Sequence, residues 1–351
     1  MTAAPGTVVV TGAGLALPGA DTPDALLRAA GPAAGPFDTA PRIGHRGHRY
    51  KDRATRLALC AALDALRDAA LVTGEDAALA VPGVTVGVVG SSNLGNLDTA
   101  CLTAATIAEE SACGLSPMSL PNASSNVIAS WVAIRHGLRG PNLMLCNGPT
   151  SGLDALHWGA TLVSAGRVRR AVVVGVETHN PVVEDLTGAP AAELLDGAAA
   201  VVVEDARWAR ERGARAAAVL GPYERRSGLG PCVAALLAQG PSPGIWFTPE
   251  RHEEPADAGA PVPATVPRHD LSRAFGRASG ALGVLQCAAA VGWLAAGGSG
   301  DALLTCGDDT ADAVAGLLLR PVTGQRPGPG APCAVSSVTS AISASSAMES
   351  P

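Results

Sequence analysis

Apolar residues recur at helical spacing over Arg53–Leu71, where Leu57, Cys60, Ala61, Leu63, Ala65, Leu66 and Ala69 share one side. That spacing predicts an amphipathic helix. Short apolar runs ending on glycine predict strands: Thr7–Thr11 before Gly12-Ala13-Gly14, Val84–Val89 before Gly90, Ala171–Val174 before Gly175, and Ala302–Thr305 before Gly307. Small apolar residues over Thr99–Glu109, Asn126–His136 and Thr150–Ala165 predict three more helices, the last two closing on Gly137 and Gly166. Pro and Gly thicken between Gly221 and Pro267, which predicts loops around one short strand, Ile245–Thr248.

One pattern returns. Gly152 and Gly166 are fourteen residues apart, as are Gly283 and Gly297, and each segment leads into an apolar strand. Such a repeat points to an internal duplication. Two copies of a helix–strand unit pack naturally as sheets layered between helices. The duplication divides the chain into an N-terminal half, 1–205, and a C-terminal half, 206–322. A Gly/Pro- and then Ser/Ala-rich tail, 323–351, has too little bulk to offset ordering entropy and is expected to be disordered.

Composition narrows the function classes. The 351 residues are 47% hydrophobic and 16% charged, the makeup of a compact protein with a large core. Long apolar runs are broken by charge, Gly or Pro, so no membrane span is expected, and the N-terminus lacks a basic signal region. A cytoplasmic location is expected. The net charge of −6 argues against nucleic acid as a partner. Eight Cys without a Cys-x-x-Cys pair argue against a metal centre or disulfide framework and for buried thiols. Gly12-x-Gly14 invites a dinucleotide reading, but Leu17 stands where the third glycine belongs. No metal or cofactor is expected.

The stretch Gly140-Pro141-Asn142-Leu143-Met144-Leu145-Cys146-Asn147-Gly148-Pro149-Thr150-Ser151-Gly152 carries the chemistry, or its loss. It resembles the nucleophile turn of the β-ketoacyl synthases, in which a Gly-Pro pair, an apolar strand, a Cys and a small-residue run follow one another. Gly-Leu-Arg-Gly-Pro at 137–141, Asp196-Gly197-Ala-Ala-Ala-Val-Val-Val-Glu204 and Ala-Ser-Gly-Ala at 278–281 extend the resemblance over roughly residues 7–320. It implies an α/β thiolase fold, with two similar halves in five layers (α-β-α-β-α).

In that family a Cys takes the acyl group as a thioester, two His drive decarboxylation, and a Lys precedes the second His. Here the Cys position falls on Pro149, the second His on Ala274, and the Lys on His269. The first His falls on Thr248 of Ile245-Trp-Phe-Thr-Pro-Glu. No residue is left to catalyse condensation. Proline also lacks the N–H that serves the family as an oxyanion donor, while its fixed φ suits the first position of a helix. Cys146 is expected to be a core thiol, His157 to bond Asp154 one turn away, and Ser151 to pack. Arg167, Arg169 and Arg170 are read as a solvated basic turn.

Among condensing enzymes, the resemblance points to the chain-length factors, the ketosynthase β-subunits of type II polyketide synthases, which lack the Cys by design. Those usually carry Gln there, so Pro149 is a departure. The paucity of aromatic residues fits better the factors that accompany highly reducing or polyene-making ketosynthases. The implied partners are a ketosynthase α-subunit, in a heterodimer, and the acyl carrier protein. The growing chain would run from the partner's Cys toward a gate at Leu97, Ala100 and Ala104. The strand Asn142, Leu143, Met144, Leu145, Cys146 and Asn147, with Trp131 in the flanking segment 116–131, would form the interface. Two alternatives stay open: a stand-alone acyltransferase or decarboxylase on the same fold, and a homodimeric acyl-binding scaffold.

Overall fold

A computed structural model describes residues 6–29, 35–74, 77–118, 120–238, 240–250 and 262–322. The tail 323–351 lies outside the described residues.

Two sets of five strands repeat one topology. The first set is β1 (Val8–Ala16), β2 (Val86–Ser91), β3 (Asn142–Leu145), β4 (Arg170–Glu177) and β5 (Gly197–Asp205), in the order β3-β2-β4-β5-β1. The second is β6 (Ala218–Arg226), β7 (Ile245–Phe247), β8 (Arg268–His269), β9 (Ala302–Cys306) and β10 (Val314–Arg320), in the order β8-β7-β9-β10-β6. In both, the first three positions are parallel and the last two antiparallel. The sets join at one edge, where β1 meets β6 through Val9–Val219 and Val10–Ala218.

Six helices complete the layers: α1 (Arg53–Asp68), α2 (Leu97–Glu110), α3 (Val127–His136), α4 (Ser151–Ser164), α5 (Leu229–Leu237) and α6 (Leu282–Ala295). Along β4, Val172, Val174 and Val176 face α1 and α3, while Ala171 and Val173 face α4 and α6. This period of two puts the fully buried β4 between two helical layers. The other side of α4 and α6 meets Leu304, Cys306, Ala315 and Leu317 of the second sheet. Leu303, Val314 and Leu318 pack against α5 on its outer face. The five layers expected of the duplication are therefore present.

Several local expectations need correction. β1 does not stop at Thr11 but runs through Gly12 and Gly14 to Ala16. A Cβ at Gly12 would lie 2.4 Å from the Ala65 carbonyl, and one at Gly14 would lie 2.3 Å from that of Ala61. These glycines let α1 lie directly on the strand; they are not a nucleotide turn. The Gly221–Pro267 region holds the end of β6 and all of α5, because exposed edge positions hide strand periodicity there. The basic turn is solvated at Arg167 and Arg169, which are exposed, but not at Arg170. Arg170 is buried and bonds Glu204 at 2.7 Å, with Arg212 on the other carboxylate oxygen at 2.7 Å. Arg169 lies 3.6 Å over the Trp208 ring.

His136, the last residue of α3, is buried, and among the described residues neither ring nitrogen has a hydrogen-bond partner. Burial, then the nearby Arg135 and Arg67, push its pKa down from 6.5 to about 4. A neutral ring is therefore favoured in the fold. Its contribution is complete above the unfolded pKa and lost as pH falls toward 4, by about 3 kcal/mol. His136→Phe should abolish that loss. Urea titrations of variant and parent at neutral and acid pH test this: the variant should gain on the parent as pH falls from 6.5 toward 4, and a difference between them that does not change with pH would refute it.

Candidate functional site

The site lies at the carboxyl ends of the parallel strands, where open α/β sheets place ligands. Ser92-Asn93 follows β2, Cys146-Asn147 follows β3, Glu177 ends β4, Thr248 follows β7 and Gly307 follows β9. The two halves thus present their strand ends to one another across α4 and α6.

Pro149 sits in the 3₁₀ turn Gly148–Thr150 that runs directly into α4. Its ring occupies a place where a helix leaves backbone N–H groups unbonded anyway, so the turn loses no helical hydrogen bond. Asp154, buried one turn later, ties the turn down. It accepts Thr150 Oγ1 at 2.8 Å, Asn147 Nδ2 and the Tyr223 hydroxyl of β6. Burial and this bond push the Tyr223 phenol up. His157 does not bond Asp154; it stacks on Tyr223 with ring centroids 4.2 Å apart. The acid's capacity is used by groups that brace the turn, which a reading of helix spacing alone did not anticipate.

A second brace comes from β2. Asn93 Nδ2 donates to the Gly148 carbonyl and to Ser279 Oγ, each at 2.9 Å. Behind it stands Glu177, fully buried. Its carboxylate accepts Asn93 N–H at 2.7 Å, Leu94 N–H at 3.0 Å, Gly280 N–H at 3.1 Å and Ser92 Oγ at 3.1 Å. Burial outweighs these donors and pushes the carboxyl up to about 7. Ser151 Oγ is also occupied, accepting Asn147 N–H at 2.8 Å and lying 2.8 Å from the Gly148 carbonyl. It is a fastening of the turn.

Pro149 lines a cavity of about 860 Å³ with Asn147, Glu250, Ser279, Arg225, Arg277 and Asp308, among others. No Cys, His or Lys is among the described residues that line it. The structure brings the Thr248–Glu250 turn there, through Pro249 and Glu250. Glu250 Oε2 accepts the N–H groups of Ala278 and Ser279 at 2.7 and 3.0 Å. Thr248 itself is buried, its carbonyl accepting Gln286 Nε2 at 2.8 Å. Ala274 and His269 are not brought there. Ala274 lines a separate cavity with Leu17, His179 and Phe275. The His269 ring lies 3.4 Å from the Leu26 carbonyl and edge-on to Phe247.

Cys146 is not a core thiol. It follows β3, exposed, and partial burial raises its pKa rather than lowering it. Among the other described cysteines, Cys60, Cys232, Cys287 and Cys306 are buried as expected, whereas Cys101 and Cys113 are exposed. β3 is the edge of its sheet, and Trp131 beside it is half-buried under Lys51, whose Nζ lies 3.9 Å from the ring centroid. Leu97, Ala100 and Ala104 all fall on α2, a helix without a single buried residue. Leu97 and Ala100 are half-buried, Leu97 packing on Val183, Ala189 and Leu194, and Ala104 is exposed.

Asn93, Glu177, Arg225, Arg277 and Glu250 were not picked out from the sequence, and Asp154 only as a partner for His157. Glu177 carried one usable signal, a lone acid closing the apolar run 171–176.

Comparison with known proteins agrees with this geometry. A family model for the N-terminal domain of β-ketoacyl synthases matches residues 30–185. The 3-oxoacyl-[acyl-carrier-protein] synthase 2 proteins of Vibrio harveyi and Vibrio cholerae serotype O1 are each 27% identical, over 204 and 219 residues. These alignments take in 51% and 56% of the chain and 48% and 51% of the relatives. The chain therefore spans about half the length of the curated relatives it matches. A structure described as the ishigamide ketosynthase/chain length factor superposes with a TM-score of 0.69 at 25% identity, covering 90% of this chain and 99% of that one. Two others cover the same shares. One is the AntDE:AntF type II polyketide synthase acyl-carrier protein in complex with its ketosynthase bound to the hexaketide (TM-score 0.72, 16% identity). The other is a β-ketoacyl synthase from Burkholderia phymatum STM815 (TM-score 0.71, 15% identity). The fold is the thiolase fold of the ketoacyl synthases. Among the described residues, no helix is long and apolar enough to cross a membrane.

Proposed function

We propose that this chain is the non-catalytic, chain-length-determining subunit of a ketosynthase heterodimer, shaping the tunnel for a growing polyketide. The observation that carries the reading is the Pro149 cavity. It keeps the position of a condensing site, yet holds no thiol, imidazole or amine among its described lining residues. The likeness to a ketosynthase/chain length factor over 90% of the chain supports it.

The partner is a ketosynthase that supplies the nucleophile. Edge strand β3 leaves one side unpaired, and the exposed Leu102, Ile107, Met118, Leu120 and Ile134 lie on α2, α3 and the segment between them. An exposed edge beside exposed apolar residues favours a partner over a free monomer. Asn142–Asn147 and Trp131 are the interface residues of this reading. The acyl carrier protein is its second partner. The two strand sets support placing the boundary between the halves at 205/206.

Leu97, Ala100 and Ala104 would then gate the tunnel, two of them small enough to admit a long chain. Ala104→Phe is expected to shorten the product. Mass spectrometry of the product decides this, and an unchanged chain length from a normally assembled complex would sink the gate. The function itself is tested by producing the chain together with a candidate ketosynthase partner and weighing the chromatographic peak. A one-to-one complex is expected. A stable homodimer that ignores the ketosynthase would overturn the reading.

A further inference from the structure

The site described above lies at the carboxyl ends of β2, β3 and β4. Their amino ends, about 25 Å away along the eight residues of β4, carry a different surface. Four segments meet there and are bonded backbone to backbone. Arg139 N–H donates to the Gly83 carbonyl at 2.8 Å, Arg169 N–H to that of Thr85 at 3.1 Å, and Asp205 N–H to that of Arg169 at 3.1 Å. A Cβ at Gly83 would run into the Gly137 carbonyl oxygen, so the 83–85 turn is seated on the end of α3. The short helix Ala206–Glu211 follows β5 and sets the Trp208 ring under Arg169, 3.6 Å away, and Arg207, 5.1 Å away.

This frame displays guanidiniums. Arg139, Arg167, Arg169, Arg207 and Arg210 are all exposed. Among the described residues, the side chains of Arg139, Arg167, Arg169 and Arg210 have no hydrogen-bond or salt-bridge partner. Arg207 Nε comes no nearer than 4.0 Å to Asp205 Oδ1. The acids here are few. Glu204, beneath the face, is taken by Arg170 and Arg212. Asp205 accepts the N–H groups of Arg207 and Trp208 at 2.8 and 3.4 Å, and Glu211 is the one acid of the short helix. Five exposed guanidiniums thus stand with two acids, Asp205 and Glu211, in a chain whose net charge is −6. Val84, 62% exposed, lies between Arg139 and Arg169 in the turn bonded to both.

We propose that this face docks an acidic protein segment, with carboxylates on the guanidiniums and an apolar residue against Val84. Arginine fits carboxylates in paired bonds, and arginine with tryptophan is a pairing that protein interfaces concentrate. The bonded frame fixes the loops before binding, which lowers the entropy cost of docking. Nucleic acid is the poorer fit. Arg169 covers the Trp208 ring, which is then not free to stack a base, and the net charge repels a long polyanion. Because the face lies at the far end of the sheet from Pro149, it serves assembly rather than the delivery of a substrate. The inference holds whether or not the chain pairs with a ketosynthase.

Fluorescence anisotropy of the full chain, in the assembly in which it purifies, would test this with a short labelled peptide of Glu and Ser around a central Leu, and with its Gln counterpart. The Glu peptide should bind and the Gln peptide should not. Arg139→Gln combined with Arg169→Gln should weaken binding about tenfold, as loss of two exposed ion pairs does. Arg167→Gln combined with Arg210→Gln should do the same. Arg49→Gln, at an exposed position before the start of α1, should leave binding unchanged. All these side chains are exposed, and thermal melting would confirm that the variants fold. Failure of the Glu peptide to bind, undiminished binding in both double variants, or an equal loss in Arg49→Gln would overturn the proposal. So would duplex DNA that binds through the same arginines more tightly than the Glu peptide.

Discussion

Glu177→Ala is expected to destabilise the protein by about 4 kcal/mol or more, since each buried donor left without an acceptor costs about 1–3 kcal/mol. Four donors aim at this carboxylate: three backbone N–H groups and the Ser92 hydroxyl. They come from the turn after β2 and from the turn before α6, so the loss would loosen both halves of the site at once. Glu177→Gln should cost less. Its carbonyl oxygen can accept two of the N–H groups, but its NH₂ meets the Leu94 N–H head on.

The pH dependence separates the charge from the hydrogen bonds. The folded pKa of Glu177 stands at about 7, above the ordinary 4.5. Its ionisation therefore works against folding. The stability it allows is fully present below 4.5 and is lost as pH rises through 7, by about 3 kcal/mol. His136 acts in the opposite sense over nearly the same window. The parent protein should hence show a flat profile between pH 4.5 and 7, whereas Glu177→Gln should expose acid lability. Chemical denaturation across that range measures both. A Gln variant as flat as the parent would show that Glu177 does not titrate there.

Gly283→Val is the second large effect. Gly152 and Gly283 are each the second residue of their helices, α4 and α6, and face one another where the two halves meet. A Cβ at Gly283 would lie 2.3 Å from Leu153 N and 2.6 Å from the Gly152 carbonyl carbon. Those are backbone atoms in a fully packed layer, so the helices would have to part. Overpacking of this kind costs about 3 kcal/mol, and a branched side chain more. The separation would also carry Pro149 away from Ser279. Differential scanning calorimetry should show a much lower melting temperature, and Gly283→Ala an intermediate one. A Val variant that melts with the parent would mean that the helices can part freely here.

Much of the architecture was legible along the chain because it rests on local rules. Buried strands read as apolar runs, α1 as an apolar stripe, and the duplication as the paired glycines 152/166 and 283/297. The last of these now has a partial cause, since Gly152 and Gly283 pack backbone against backbone where the halves meet. Pro149 at the mouth of a helix was equally readable, because proline's fixed φ and missing N–H are properties of one residue. β6 and α5 were hidden because Gly, Pro and charged residues interrupt the apolar pattern over 221–231.

The site's fastening was decided by contacts between residues far apart in the chain. Glu177 draws together the turns at 92–94 and 280, Asn93 reaches Gly148 and Ser279, and Tyr223 reaches Asp154. No spacing encodes these pairings, for hydrogen bonding in a desolvated interior depends on which groups the folded sheets bring within about 3 Å. The same holds for Ala274 and His269, which the family resemblance matched to the second His and the Lys: Ala274 lines a separate cavity with Phe275, and the His269 ring lies against the Leu26 carbonyl. The sequence by itself determined the layers, the duplication and the absence of a nucleophile at Pro149. Only the tertiary structure decided that the Pro149 turn would line a cavity and be braced there by Asp154 and Asn93, with Glu177 behind.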